Sequence, residues 1–415
     1  MKNKLKQVIK HPLFIGTFII TVSTNIANIF SYIFQYLMLR FLPVQDFKIL
    51  FNLFSLMAII TVLSGVMSQV AIKSSAKLKA KEDFQLLTGL FKQLFKINLI
   101  FALSILLVFN LFSTSIAQLL NLPSGYLQLF SFFVAVAIVL GLPTAFLNGL
   151  LRFKSYGFLS ILAGILKVAF PLIAIILGYK LSGVLLGLII AGIVTGVVGF
   201  LLLKKNLRKI SKPYPISKII TTSIPLLLIS LFTILFFNID VLLVNKFFSS
   251  ADSATYSSIA LIGRIILYGS SAVSVVLMPI ISEKTEAGLS VLKTLIASLL
   301  MVLFLGSVGT IILYIFPNLI NTVVFGGKYP SAIPYLGLFG VFMVLYSLVL
   351  TITGFFIGAS KNSIIYVLAV GALTQLLGII LYHNTINQII HTNIISMVII
   401  LLGSFVILYK DFVKT

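Results

Sequence analysis

The feature that most constrains this chain is a series of long, nearly uncharged apolar segments. A helix that crosses a bilayer needs about 20 predominantly apolar residues, and the sequence contains twelve runs of roughly that length. Transmembrane β-strands would be half as long and would alternate polar with apolar residues, which these runs do not do. The predicted spans lie near residues 14–38, 47–72, 94–117, 126–149, 156–178, 183–203, 219–245, 254–281, 291–316, 333–357, 363–382 and 389–409.

The low charge content excludes several classes of soluble protein. Only 9% of the 415 residues are charged, against about 25% in an average protein, and the mean hydropathy is +1.19. A water-soluble fold cannot bury so much apolar surface behind so few charges. A soluble enzyme, a secreted domain and a nucleic-acid-binding module are therefore excluded, although the net charge is +22.

The positive residues are distributed unevenly between the two sides that twelve spans define. Of the 30 Lys and Arg residues, 23 lie on the side of the termini, five lie on the other side, and two lie inside spans. Positive residues accumulate in cytoplasmic loops, so both termini are predicted to be cytoplasmic. The first run is too long for the core of a signal peptide and is predicted to be an uncleaved span.

The two halves of the chain share weak sequence matches at offsets of 206 and 209 residues, each about half the chain length. Since each half has six predicted spans, both halves begin on the same side, which makes the repeats parallel. The matched pairs are Arg40-Phe41 with Lys246-Phe247, Asp46 with Asp252, Tyr126–Phe133 with Tyr335–Phe342, and Arg152 with Lys361.

These features together predict an all-α polytopic membrane protein. We expect twelve transmembrane helices in two six-helix bundles related by a parallel internal repeat. The predicted lobes are residues 1–203 and 219–415, joined by a basic cytoplasmic linker at residues 204–218. Transporters of this kind bind substrate between their lobes near the bilayer midplane.

Three ionisable residues lie deep inside predicted spans: Lys167, Asp240 and Arg264. Each costs about 2.5–3.5 kcal/mol at the bilayer centre, so each needs a partner or a wet cavity. Lys167 either faces substrate, beside a kink expected from Pro171, or extends along a neighbouring helix. Asp240 and Arg264 form a structural ion pair, or Arg264 binds an anion while Asp240 orients it or exchanges a coupling cation.

Polar residues in the first spans of each half are further candidates for substrate contact. They either line the interface between the lobes or form ordinary hydrogen bonds between helices. These candidates are Asn25, Asn28, Gln35, Gln69 and Asn238.

Cationic residues at helix ends are predicted to act as gates or to anchor the helices at the membrane surface. These residues are Arg152, Lys361, Arg40 and Lys246. Small residues at four-residue spacing, Gly183, Gly187 and Ala191, indicate close helix packing.

The sequence contains no pattern typical of an enzyme, a metal site or a bound cofactor. It has no Cys, and its three His residues lack the spacing of helical metal ligands. Phosphate loops and pairs of catalytic carboxylates are not recognisable. We therefore expect no enzyme activity and no cofactor.

Several local segments resemble the oligosaccharide and polysaccharide flippases of the polysaccharide transporter family, within the multidrug/oligosaccharidyl-lipid/polysaccharide exporter superfamily. The resemblance extends over essentially the whole chain through loose motifs, although only Lys167 and Arg264 are deep cations. The segments are His11–Phe14, Arg40–Lys48, Leu63–Ala71, Phe237–Val244 and Ala254–Ser258.

The resemblance implies export of polyprenyl-diphosphate-linked oligosaccharide from the inner to the outer leaflet by alternating access, in the plasma (inner) membrane of a bacterium. Lipid-linked oligosaccharide and membrane lipid are the expected partners, with glycosyltransferases or a polymerase of the same pathway as further candidates, and the chain is expected to be monomeric. Two alternatives remain: a cation-coupled exporter of drugs or other small molecules from the same superfamily, and a membrane enzyme acting on lipid-linked sugars.

The predicted topology can be tested directly because the chain has no cysteine. Single cysteines in place of Lys81 and Lys212 should resist a membrane-impermeant maleimide in intact cells, since the charge asymmetry puts both residues in the cytoplasm. A cysteine in place of Lys328 should react. Equal labelling of all three positions would contradict the topology.

Overall fold

The chain is helical throughout its described part. The computed structural model describes residues 12–207, 211–286, 290–359 and 361–412, and these form α-helices, one 3-10 helix and short connections, with no strand. This confirms the all-α prediction for the described residues. The lysines before residue 11, His11 and residues 208–210 of the predicted linker lie outside them.

Sixteen α-helices occur in the described residues, and the 3-10 helix Pro330–Tyr335 directly precedes α14. In chain order the α-helices are α1 (Pro12–Phe41), α2 (Val44–Ile60), α3 (Val62–Ala80), α4 (Phe84–Leu111), α5 (Ser113–Leu120), α6 (Ser124–Leu140), α7 (Leu142–Gly149), α8 (Phe153–Ile176), α9 (Leu181–Lys204), α10 (Ile216–Phe247), α11 (Ser250–Glu286), α12 (Leu292–Ile315), α13 (Pro317–Val323), α14 (Leu336–Gly358), α15 (Ile364–Leu381) and α16 (Ile386–Phe412).

Nine helical segments of the described chain are long and apolar enough to cross a membrane. The bent pair α2 and α3 gives a tenth if the two helices form one broken span. The protein is therefore a multi-pass membrane protein, whereas the count of twelve spans stays a prediction.

The segment between the predicted spans 47–72 and 94–117 reads in the sequence as a polar loop at about residues 73–92, and this prediction is wrong. Helix α3 continues to Ala80 and α4 begins at Phe84, so only three residues separate them. Lys and Ala favour helix, and this segment has no Gly or Pro before Gly89 to interrupt it. The Asp83 side chain begins α4 by accepting a hydrogen bond from the Leu86 backbone N–H at 3.0 Å.

The predicted span at residues 47–72 is broken rather than continuous. Helices α2 and α3 meet at an angle of 49°. Thr61 lies at the break, with φ of −79° and ψ of 2°. The pair Ser64-Gly65 follows directly, and Gly/Ser pairs are a common site of helix kinks.

The described chain forms two compact units. The first comprises Met1–Asp46 and Ile60–Ile224, and the second comprises Phe47–Ile59 and Pro225–Thr415, within the described residues. In the first unit α8 packs against α1 and α9, while α6 packs against α4 and α9. In the second unit α14 packs against α11, α12 and α16.

The second unit includes most of α2, which lies far away in sequence. The Lys48 Nζ donates a hydrogen bond to the Ser250 Oγ at 2.8 Å. The Phe47 ring packs edge-on against the Tyr329 ring, with centroids 6.4 Å apart. Residues 47–59 thus belong to the second unit, and all its other residues follow residue 224.

The small residues of α9 provide close helix contacts, as their spacing predicts. A Cβ atom at Gly187 would lie 2.8 Å from the backbone N of Pro171 and 2.9 Å from the carbonyl carbon of Phe170. The backbones of α8 and α9 therefore approach each other directly at this glycine.

Gly187→Leu should destabilise the protein by about 1–3 kcal/mol or more, because the backbone of α8 has to move to admit the side chain. Gly125→Leu is the matched control, since Gly125 is exposed and a Cβ there meets nothing within 4 Å. Thermal unfolding of the purified protein in detergent measures both effects. A midpoint for Gly187→Leu equal to that of the control would contradict the packing.

Candidate functional site: a stacked arginine and a buried carboxylate network

The Arg264 side chain lies in an aromatic and polar setting in the second unit. Its guanidinium carbon is 4.0 Å from the centroid of the Phe237 ring and 4.7 Å from that of Phe51. Cation–π contacts of this kind partly replace the water that a buried cation loses. Only 7% of the residue is exposed.

One nitrogen of Arg264 makes both hydrogen bonds that the guanidinium forms with described residues. Its Nη2 donates to the Phe237 carbonyl oxygen at 2.8 Å and to the Asn238 Oδ1 at 3.3 Å. A guanidinium has five N–H donors in a planar fork. Those on Nε and Nη1 have no acceptor among the described residues.

The Asp240 carboxylate is buried in a separate hydrogen-bond network, and 1% of the residue is exposed. Its Oδ2 accepts hydrogen bonds from the Tyr256 hydroxyl at 2.6 Å and from the Asn393 Nδ2 at 3.0 Å. Its Oδ1 accepts one from the Val241 backbone N–H at 2.8 Å. These three donors stabilise the carboxylate without a cation in contact.

The network continues from Asn393 to a fourth helix. The Gln375 Nε2 donates to the Asn393 Oδ1 at 2.9 Å and to the Phe236 carbonyl oxygen at 3.1 Å. Helices α10, α11, α15 and α16 are thus joined by buried side-chain hydrogen bonds, and such bonds favour one arrangement of the helices.

Asp240 and Arg264 do not form the direct ion pair that was one of the two sequence-based hypotheses. No guanidinium nitrogen of Arg264 lies within 4.0 Å of a carboxylate oxygen of Asp240, among the interactions of the described residues. Each group instead has its own neutral partners.

Lys167 lies in the first unit, on α8, which runs through Pro171 without a break. Its Nζ is 3.4 Å from the Ser31 Oγ and 5.4 Å from the centroid of the Phe34 ring. The side chain is half-buried. Lys167 and Arg264 therefore belong to different units, and each is accompanied by an aromatic ring.

The other predicted substrate-contact residues lie in varied settings. Asn238 touches Arg264 through its Oδ1, while its Nδ2 donates to the Ile234 carbonyl oxygen at 2.9 Å. On α1 Asn25 and Asn28 are exposed and Gln35 is half-buried, and Gln69 is exposed on α3. The roles of these residues in binding stay predictions.

Arg152, one of the four predicted gate residues, is engaged with its own unit. Its Nη1 donates to the Leu202 carbonyl oxygen at 2.6 Å and to the Asn206 Oδ1 at 2.7 Å. It thereby binds the C-terminal end of α9, where carbonyl groups lack partners within the helix. Lys361 and Arg40 are exposed and Lys246 is half-buried.

Sequence reasoning missed Phe51, Tyr256, Gln375 and Asn393. The two amides could have been found, because a polar residue inside an apolar span is expensive and usually has a partner. The two aromatic residues gave no such signal, since the chain has 36 Phe and 15 Tyr residues.

Comparison with family models gives a match to the polysaccharide biosynthesis protein family over residues 13–285. This chain belongs to that family. The match covers more than half of the chain and includes Lys167, Asp240 and Arg264. It confirms the family resemblance of the sequence motifs. Comparison with curated proteins gives no match.

Solved structures of similar fold include both flippases and drug transporters. An inward closed conformation of the lipid II flippase MurJ is 14% identical, with a TM-score of 0.72, and the match covers 95% of this chain and 87% of that one. An inward-facing multidrug resistance MATE family transporter of the MOP superfamily is 15% identical, with a TM-score of 0.69 and 95% of each chain covered.

A third solved structure is a MOP superfamily transporter from Pyrococcus furiosus Vc1, described as having a binding pocket of reversed polarity. It is 14% identical, with a TM-score of 0.60, and the match covers 95% of this chain and 93% of that one. At such identities these similarities establish the fold of this polysaccharide biosynthesis family member.

A double-mutant cycle tests the carboxylate network. Asp240→Asn and Tyr256→Phe should be coupled by about 1 kcal/mol or more in stability, because one hydrogen bond to a buried charge joins the two residues. Asp240→Asn and Tyr346→Phe should be additive within about 0.5 kcal/mol, since the Tyr346 hydroxyl donates instead to the Thr233 carbonyl oxygen. Thermal unfolding in detergent gives both values, and equal coupling in the two cycles would contradict the network.

Proposed function

We propose that this protein flips polyprenyl-diphosphate-linked oligosaccharide from the inner to the outer leaflet of a bacterial plasma membrane by alternating access. The observation that carries the proposal is the Arg264 guanidinium, which is buried, stacked on two rings and only partly used by the protein. Membership of the polysaccharide biosynthesis family and the fold shared with a lipid II flippase support it.

The chemistry of Arg264 suits a diphosphate. A planar guanidinium donates two parallel hydrogen bonds to phosphate oxygens, which gives both charge and orientation. The Phe51 and Phe237 rings keep the plane of the guanidinium fixed. A pre-organised cation of this kind would stabilise the diphosphate where the membrane interior otherwise opposes its passage.

Lys167 is the proposed cation of the first unit. An ammonium acts as a point charge without a preferred plane, so it would contribute attraction rather than orientation. A cation from each unit could bind one diphosphate in turn as the protein alternates between states. Asn25, Asn28, Gln35 and Gln69 are proposed to contact the glycan.

The proposed architecture is twelve spans in two parallel six-helix repeats, with both termini in the cytoplasm. Asp46 and Asp252, a matched pair, each lie in the first turn of their helix. The Arg152 and Lys361 backbone N–H groups each donate to the carbonyl five residues earlier, at 2.9 Å. That bond is typical of a Schellman helix end, and its recurrence at matched positions supports the repeat.

Cation-coupled export of small molecules is the second candidate, and Asp240 is the residue that favours it. A buried carboxylate in a membrane protein is a typical site of proton or cation exchange. The three hydrogen bonds to Asp240 suit a structural role equally well. Asp240→Asn separates the two roles. If Asp240 exchanges the coupling cation, the variant stays folded but its transport no longer responds to an ion gradient. If Asp240 is structural, the variant loses stability instead.

Arg264→Gln should lower transfer of lipid-linked oligosaccharide in proteoliposomes by about 10- to 100-fold, which corresponds to one or two lost charge-assisted hydrogen bonds. Arg264→Lys should be intermediate, since it keeps the charge and loses the planar fork. Transfer is measured as glycan that becomes accessible to a soluble glycosidase in the opposite leaflet.

Lys167→Arg should be tolerated better than Lys167→Ala, because the proposed role depends on charge. Lys154→Gln is the matched control, since Lys154 is an exposed lysine at the start of α8. Full transfer by a folded variant with alanine at both 167 and 264 would overturn the diphosphate site. Efflux of a cationic dye without transfer of the lipid would favour the second candidate.

A further inference from the structure

The outer surface of the first unit contains a groove where α9 ends. Its volume is about 370 Å³, within the range of small-ligand sites, about 300–1,000 Å³. Four apolar side chains and one lysine line it. The lining residues are Val197, Phe200, Leu201, Lys204 and Leu207.

The wall of this groove is rigid and aromatic. The Phe200 ring packs edge-on against the Phe91 and Phe95 rings of α4, and both centroid distances are 5.9 Å. Val197 and Leu201 are respectively 49% and 62% exposed. The groove is therefore an apolar surface that the described part of the protein leaves open.

The position of Lys204 indicates what kind of molecule would fit. Helix α9 is one of the candidate membrane spans, and Lys204 is its last residue. The groove thus lies on a candidate membrane span and includes a cation at the predicted cytoplasmic end of that span. The apolar part of the groove suits an acyl chain, and its exposed lysine suits an anionic headgroup.

The charge around the groove favours an acidic headgroup over a zwitterionic one. Lys92, Lys96, Lys205 and Lys212 are exposed, in α4 and in the connection that follows α9. The Lys92 Nζ donates to the Ser211 Oγ at 2.9 Å, and the Lys212 backbone N–H donates to the Gln85 carbonyl oxygen at 3.1 Å. These bonds hold the connection against α4, so Lys92 and Lys212 lie close together.

Arg152 holds the turn that follows α9. Its hydrogen bonds go to Leu202 and Asn206, and the same turn contributes Leu207 to the lining of the groove. The end of α9 is therefore built into a defined shape rather than left to fray.

We propose that this groove binds one acidic glycerophospholipid of the inner leaflet, with an acyl chain against Val197, Phe200 and Leu201 and the phosphate at Lys204. Such a lipid would counter the mutual repulsion of the lysines in the connection that leads to the second unit. The proposal is independent of the transported substrate.

Native mass spectrometry of the full chain in detergent tests the proposal with dioleoyl phosphatidylglycerol as the probe and dioleoyl phosphatidylcholine as the headgroup control. Lys204→Gln should weaken phosphatidylglycerol binding about five-fold, the contribution of one surface lysine, and leave phosphatidylcholine unchanged. Lys204→Arg should restore binding. Lys154→Gln, which removes an exposed lysine outside the groove, should have no effect.

Val197→Phe tests the acyl-chain part of the site. It should reduce retention of phosphatidylglycerol by filling the groove, and the protein should still fold because residue 197 is half exposed. Val194→Phe is the matched control on the same helix, since Val194 is exposed and does not line the groove.

Three results would overturn the proposal. Equal retention of both phospholipids would show that the headgroup is not recognised. Displacement of the lipid by soluble glycerol phosphate would show a phosphate site without an acyl-chain contribution. Preferential retention of a polyprenyl phosphate would assign the groove to the substrate instead.

Discussion

A charged side chain in a membrane needs a replacement for the water that it leaves behind, and this requirement shapes the second unit. Arg264 is surrounded by two rings and two oxygen acceptors, and Asp240 by three hydrogen-bond donors. These partners come from α2, α10, α11 and α16. These four helices must therefore pack together for both charges to have their partners. This requirement acts alongside the close packing of small residues that generally joins membrane helices.

Separate solvation differs electrostatically from a direct ion pair. A guanidinium neutralised by a carboxylate offers little attraction to a second anion, whereas neutral partners leave its charge available. The arrangement leaves Arg264 without a carboxylate in contact, while the hydrogen bonds of Asp240 join α10, α11 and α16.

Much of the fold was predictable because membrane helices carry strong sequence signals. Apolar runs indicated the helices, and the small residues of α9 indicated close packing that Gly187 confirms. The boundary between α3 and α4 was missed because lysine-rich helix ends look like loops in a hydropathy pattern, although lysine favours helix. The bend at Thr61 was also missed, because no proline lies near it in the sequence.

The candidate site was predictable only in its charges. Lys167, Asp240 and Arg264 stood out because ionisable residues are rare in spans. Their partners could not be assigned, because nothing in the sequence distinguishes a Phe that contacts a cation from the rest of the 36 Phe residues. The membership of residues 47–59 in the second unit was equally hidden, since it depends on contacts between segments about 200 residues apart.

That membership has a consequence for biosynthesis. When α2 leaves the ribosome, Phe51 has no Arg264 to meet, because about 200 residues remain to be translated. Domains commonly fold in the order of their synthesis. Helix α2, in contrast, cannot make its contacts with the second unit until α10 and α11 have been synthesised and inserted. The second unit therefore cannot be produced as a complete body from a gene fragment that starts after the basic linker, because one of its core helices is encoded near the beginning of the gene.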